Sequence, residues 1–432
     1  MATENNSNAE DNFNEDKRRQ KRRVRRRKSQ LTAYFIVTAF IIIISGAAFV
    51  SVCKVSSVIT KIRADSITKE KEKHKKDNNL AILSPDSSSI DDKVSEENDL
   101  ESRINDTISS MTIEQKAASL FIVTPEQLTG VDGVVKAGSS TQTALSKYTV
   151  GGIVYLANNL KDANQINEML SDTMKMSSFP LFLAISETGG DKSLVANATG
   201  AEVMPNPQDL SGSKAKEAGE TIGSYLVNAG FNLDMSLSAN LSDKPECFGT
   251  DEGNVASKLY DFSSSIEEKG VCTCIGDFPV QMTGNGDTES NDSSKEELSK
   301  SNLKVFEEMI NSGTAIIQMS NINMPNLTGD DNPCSMSAVA ISNMLRSDMG
   351  FTGIVMTGPM NQKAVTDKYS ADVAAVNAIA AGADMIYLPA DFHTAYNGLL
   401  TAVQNGTLTE DRINESLQRI FKVKFSTFVN LS

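Results

Sequence analysis

The 432-residue chain has no tryptophan, and its only histidines are His74 and His393. Tryptophan offers the broadest face for stacking a flat ligand, so that means of gripping one is absent. The five cysteines, Cys53, Cys247, Cys272, Cys274 and Cys334, include no Cys-x-x-Cys pair. Structural zinc and iron–sulfur centres draw on clustered Cys and His, so neither metal nor cofactor is expected. Cys272 and Cys274 stand two apart in an apolar run, on one face of a strand, and the cysteines read as buried free thiols. No Gly-x-Gly-x-x-Gly follows the first strand-like run, which argues against dinucleotide binding. The densest basic run stands at the start. Residues 1–28 hold ten Lys/Arg against five Asp/Glu, a net of +5 in a chain of net −14, so the remainder carries −19. Such a body repels phosphates, and nucleic acid is not an expected partner.

The basic run Lys17–Lys28 adjoins Leu31–Cys53, 23 residues without a charge that include Phe40-Ile41-Ile42-Ile43-Ile44. About 20 apolar residues cross a bilayer as a helix, and positive flanks stay inside. The pattern predicts a basic cytoplasmic tail over 1–30, a transmembrane helix over 31–53 and everything later outside. Cleavage at Ser45-Gly46-Ala47-Ala48 is the alternative, but the apolar stretch is longer than a signal-peptide core. Residues 54–100, charged and then rich in Ser, Asp and Glu, read as a flexible stalk.

From residue 101 to 432 short apolar runs alternate with amphipathic segments. The strand-like runs are Ser119–Val123, Gly152–Leu156, Pro180–Ile185, Phe231–Met235, Val271–Ile275, Ala315–Met319, Ile354–Thr357 and Met385–Leu388. Helix-like stretches between them include Asp162–Ser177, Lys214–Asn228, Val255–Lys269, Glu296–Asn311 and Ala371–Ala381. Eight such units predict an α/β fold, a (β/α)8 TIM-like barrel.

Several motifs in this region, taken together and in order, resemble glycoside hydrolase family 3, and in particular its single-barrel bacterial β-N-acetylglucosaminidases. They are Met111-Thr112-Ile113-Glu114-Gln115-Lys116, Gly151-Gly152-Ile153-Val154-Tyr155 with Asn158-Asn159-Leu160, Gly230-Phe231-Asn232-Leu233, Phe248-Gly249-Thr250-Asp251, Asp277-Phe278-Pro279, Gly350-Phe351-Thr352-Gly353-Ile354-Val355 and Ala381-Gly382-Ala383-Asp384-Met385. The resemblance implies the same barrel. It also shows where this chain departs from the family. The aspartate nucleophile that ends the family's seventh strand corresponds to Gly358 in Met356-Thr357-Gly358-Pro359. The family's Asp–His acid/base dyad corresponds to Asp292 and Ser294, and serine does not shuttle protons near neutral pH. Family positions that hold the sugar correspond to Ser186, Asp191, Asn240, Glu246, Asp277 and Asn285, with Glu187 beside the first of them. A carboxylate where Arg stood reverses the local charge.

These departures predict a membrane-anchored, extracellular pseudoglycosidase of a bacterial, Gram-positive-like envelope, binding cell-wall glycan or an envelope protein. Two alternatives accompany it. One is an active β-N-acetylhexosaminidase with rearranged carboxylates, Glu187 and Asp292 forming the pair that retention requires. The other is a purely structural ectodomain. Asp287, Glu289 and Asp292 lack the spacing of a calcium loop and read as a solvated acidic loop. Tyr155, Phe278, Met319, Met324 and Met356 read as core, and His393 as a polar residue at a helix start.

Overall fold

Each of the eight apolar runs forms a strand: β1 Phe121–Val123, β2 Gly152–Val154, β3 Phe182–Ile185, β4 Leu233–Ser238, β5 Cys272–Phe278, β6 Ile316–Met319, β7 Ile354–Met356 and β8 Ile386–Tyr387. The computed structural model describes residues 88–284 and 286–428, and the barrel unit begins at Asp91. The expected tail at 1–30, the apolar segment 31–53, the stalk as far as residue 87 and Asn285 lie outside the described residues. Among those described, no helix is long and apolar enough to cross a membrane.

Neighbouring strands pair in parallel, in the order β7-β6-β5-β4-β3-β2-β1-β8. Met356 bridges Met385, whose N–H donates to Val355 O at 3.1 Å, while Thr357 N–H donates to Met385 O at 2.9 Å. The eighth strand thereby meets the seventh, and the sheet is a nearly closed parallel α/β barrel of the TIM kind. Strands covered on both faces favour apolar residues throughout, as in β1, β2, β3 and β7; β4 alternates instead and buries Asp234. Helices Gly212–Ala229 and Glu252–Glu267 pack closely enough that a Cβ at Gly219 would meet Phe262 O at 2.3 Å.

The opening Met111-Thr112-Ile113-Glu114-Gln115-Lys116 is a helix start: Thr112 and Gln115 form a capping box, and Lys116 pairs with Glu410 at 2.7 Å. Before it, helix Ser88–Ser110 crosses the boundary drawn at residue 100. Ile104 and Ile108 are buried and Leu100 packs against the core, an apolar stripe at four-residue spacing. Arg103 lies over the Phe425 ring at 4.7 Å.

Asp384 ties the ring closure to the last helix, Glu410–Phe428. Fully buried, it accepts from Val355 N–H at 2.9 Å, Ser416 Oγ at 2.8 Å and Arg419 at 2.9 Å, and it pairs with Arg346. Lys424 of the same helix is buried and donates to Gly151 O at 2.7 Å and Pro180 O at 2.8 Å. Burial pulls its ammonium down to about 7. The stretch expected as one helix, Glu296–Asn311, is two, Lys295–Leu298 and Asn302–Asn311. Ser299 and Ser301 turn their hydroxyls onto the carbonyls of Glu296 and Glu297, the local competition that makes serine a poor interior helix residue.

Candidate functional site

In a parallel barrel the side chains available for chemistry stand just past the C-terminal strand ends. After β7, Thr357 is buried and its Oγ1 accepts from Tyr387 N–H at 2.9 Å. Gly358 follows, its N–H donating to Ser335 Oγ at 2.9 Å. A Cβ built on Gly358 would lie 2.8 Å from Met319 O and 3.0 Å from both Cγ and Nδ2 of Asn321. Asn321, two residues beyond β6, donates from Nδ2 to Pro359 O and to Gln362 Oε1, each at 2.8 Å. The position that the resemblance aligns with a nucleophile is therefore filled from outside: no side chain fits at Gly358 without moving β6 backbone or this amide.

Past β3, Ser186 donates to Met235 O at 3.4 Å. Glu187 does not open into the mouth. It is fully buried and accepts from Val195 N–H at 2.8 Å, Ala196 N–H at 3.1 Å and Tyr225 OH at 2.8 Å. Its carboxylate anchors helix Leu194–Thr199 against helix Gly212–Ala229, and burial raises its proton affinity against the lowering effect of those donors. Glu187 N–H donates to Asp234 Oδ1 at 2.9 Å, and burial also holds the Asp234 carboxyl well above its ordinary range. Asp191 is exposed.

Past β4 and β5 the polar positions are joined into one network. Asn240, buried, donates from Nδ2 to Gly276 O and Asp277 O at 3.2 Å each. Its Oδ1 accepts from Gln281 N–H at 2.9 Å and Asn302 Nδ2 at 3.0 Å. Glu246 accepts from Gln281 Nε2 at 3.2 Å. Asp277 is partly exposed, and burial raises its carboxyl to about 6, with Lys192 and Lys244 opposing the rise and Glu246 adding to it.

The acidic loop after β5 is pinned rather than merely solvated. Glu289 accepts from Thr283 N–H at 2.7 Å, Thr283 Oγ1 at 2.9 Å and the N–H of Gly284. Asp287 pairs with Lys363 at 2.9 Å, and Asp292 is exposed. Ser294 caps helix Lys295–Leu298, bonded reciprocally with Glu297. Among the described residues no three His, Cys, Asp or Glu converge as metal ligands. Cys247, Cys272, Cys274 and Cys334 are buried. Tyr155, Phe278, Met319, Met324 and Met356 are core, and His393 is the second residue of helix Phe392–Gln404.

The mouth thus gathers Asn240, Glu246 and Asp277, with Lys192 and Lys244 near enough to act on the Asp277 charge, while Glu187 is turned inward onto its own donors. Sequence reasoning missed Lys192, Lys244, Asn321 and Gln281. The strand-end rule, applied to β6 as it was to β7, points to Asn321; the others are placed by loops.

An α/β barrel with its polar network at the C-terminal strand ends defines a class of protein. The family follows from comparison: residues 112–423 match the glycosyl hydrolase family 3 N terminal domain, and the chain belongs to that family. It is 24% identical over 329 residues to beta-hexosaminidase A of Pseudoalteromonas piscicida, covering 65% of this chain and 54% of that protein. A beta-hexosaminidase of Nitrosomonas eutropha is 24% identical over 280 residues, covering 60% of this chain and 79% of the relative. Among solved structures, a family 3 beta-N-acetylglucosaminidase from a Paenibacillus species superposes with a TM-score of 0.67 at 23% identity, over 74% of this chain and 63% of that one. A beta-N-acetylhexosaminidase from Beutenbergia cavernae gives 0.65 at 21% identity, over 73% and 99%. The chain thus spans about half the first relative's length, and the likeness to the solved structures shows the fold alone.

Proposed function

We propose that this family 3 barrel is anchored in a cell membrane with its mouth outside, no longer hydrolyses glycosides, and acts by binding cell-wall glycan fragments or an envelope protein. The observation that carries this reading is Gly358. Retention needs a nucleophilic carboxylate about 5 Å from the acid, and at Gly358 the Asn321 amide and Met319 O take the space of any side chain. Ser294 is consumed in capping, and Glu187 is spent on three donors. The relatives' name, beta-hexosaminidase, supplies the activity to be tested. Asp277, part-exposed with raised proton affinity, is the carboxylate an active enzyme would use.

The expected result is no turnover of an aryl N-acetyl-β-glucosaminide by the full chain. Turnover that is lost in Asp277→Asn overturns the proposal in favour of an active hydrolase. Wall fragments are expected to raise the melting temperature, because a ligand of the folded state stabilises it; a partner protein would do the same. A midpoint unmoved by either favours the purely structural ectodomain.

A further inference from the structure

His393 takes no part in the mouth. It is exposed, and its ring lies 5.1 Å from that of Tyr148 at a tilt of 41°. Tyr148 closes helix Ser139–Lys147, which connects β1 to β2, and packs edge-on against Phe392 at 5.3 Å and Tyr396 at 5.2 Å. Those contacts hold the half-buried ring in place. Lys147 Nζ stands 4.8 Å from its centroid, so an ammonium and an imidazole flank one fixed aromatic ring.

Beside them lies an open groove of about 660 Å³. That volume is within the range of small-molecule sites, roughly 300–1,000 Å³. Ser139, Ser140, Thr143 and Lys147 line it along one helix face, since residues three and four apart are neighbours there. Leu128 and Ala144 add apolar surface, and no Asp or Glu lines the groove. Asp391 accepts from Thr394 N–H at 2.6 Å and interacts electrostatically with His393, so the groove's standing positive charge is that of Lys147. On a chain that carries −19 beyond residue 28, a groove lined by Lys147 and by no Asp or Glu is a local reversal of charge.

The geometry points to a second binding site here, apart from the mouth, for an anionic saccharide. Hydroxyls both donate and accept, so the Ser139, Ser140 and Thr143 wall matches the alternating donors and acceptors of a sugar. Tyr148, Leu128 and Ala144 suit the C–H face of a pyranose. Lys147 suits a carboxylate or phosphate through charge-assisted hydrogen bonds, and the His393 imidazole adds an N–H donor at the groove's edge. An acidic peptide would use Lys147 but not the hydroxyl wall.

The test titrates the full chain with glucuronate, glucose 6-phosphate and glucose, which differ in the anionic group, and with a hexaglutamate peptide, followed by calorimetry and ligand-observed NMR. At least one anionic sugar is expected to bind about tenfold or more tighter than glucose, a gap of one good polar contact, and to weaken as salt is raised. Preference between the two identifies carboxylate or phosphate as the natural group. Lys147→Gln is expected to weaken binding about tenfold and Lys147→Gln with His393→Gln to remove it. Both side chains are exposed, so an unchanged melting temperature shows that the variants fold. Equal binding of glucose, tighter binding of the peptide, affinity unchanged in the double variant, or no binding of any sugar up to about 20 mM overturns the proposal. Neither side chain belongs to the mouth, so failure here is separate from failure of the reading given there.

Discussion

A carboxylate at position 358 and the amide of Asn321 compete for one volume, and the amide holds it. Gly358→Asp is expected to lose about 1–3 kcal/mol, the usual cost of overpacking a filled site, and to gain no turnover. Asn321→Gly in the same chain should recover part of that loss, because Met319 O remains 2.8 Å from the new Cβ. Contacting residues couple, so the double-mutant cycle reads out the shared space. Denaturant unfolding measures all three variants; a Gly358→Asp chain as stable as its parent would end the backfilling account. That position 358 carries no side chain was legible in the sequence, but the identity of the group that fills the space was not. Asparagine at a strand end is common, and only tertiary contact reveals which space it fills. Glu187 shows the converse: next to a family sugar position it reads as a mouth carboxylate. Its hydroxyl partner, Tyr225, comes from a helix whose approach no local pattern shows.

Strands were the most legible elements, since most of the eight runs are buried on both faces and stand out as apolar blocks. Helix Glu296–Asn311 was less so, because hydrophobic spacing continued through the serines that interrupt it. Least legible of all was the last helix, whose Lys424 looks from sequence like an ordinary surface lysine yet lies buried against two carbonyls. Its amine titrates near 7 in the folded chain and at its ordinary, higher value when unfolded. Above about pH 7 the unfolded state therefore holds the extra proton, and stability rises with pH by up to about 1.4 kcal/mol per unit. Below about pH 7 the folded chain carries a buried, unpaired ammonium and this contribution is lost. Lys424→Met keeps the volume and removes the titration. Comparing unfolding free energies of the two chains at pH 6, 7.5 and 9 should show a gain with pH in the parent beyond that in the variant. Parallel pH profiles would mean that Lys424 stays charged.

At the scale of the whole molecule the chain joins segments of different physical character. A +5 head and an uncharged stretch of 23 residues precede a body of −19, and the barrel unit begins at Asp91 with a continuous core of its own. On the proposed topology the two regions do separate jobs: Leu31–Cys53 fixes the chain in the bilayer and the barrel binds outside. The full chain should then stay with membranes through a carbonate wash and leave only with detergent. Ile42→Arg with Ile43→Arg should release it, since each arginine at a helix centre costs about 2.5–3.5 kcal/mol of insertion on the translocon scale. Protease added to intact cells should reach the barrel while sparing the basic tail, because Lys and Arg mark the cytoplasmic side. Release of the parent chain by carbonate would remove the anchor, and cleavage of the tail from outside would reverse the orientation. Neither result would touch the barrel. A chain lacking residues 1–87 should melt at the same temperature as the whole, since the described core from Leu100 onward is assembled without them. A midpoint lowered in the shortened chain would mean that the anchor segment also holds the barrel together.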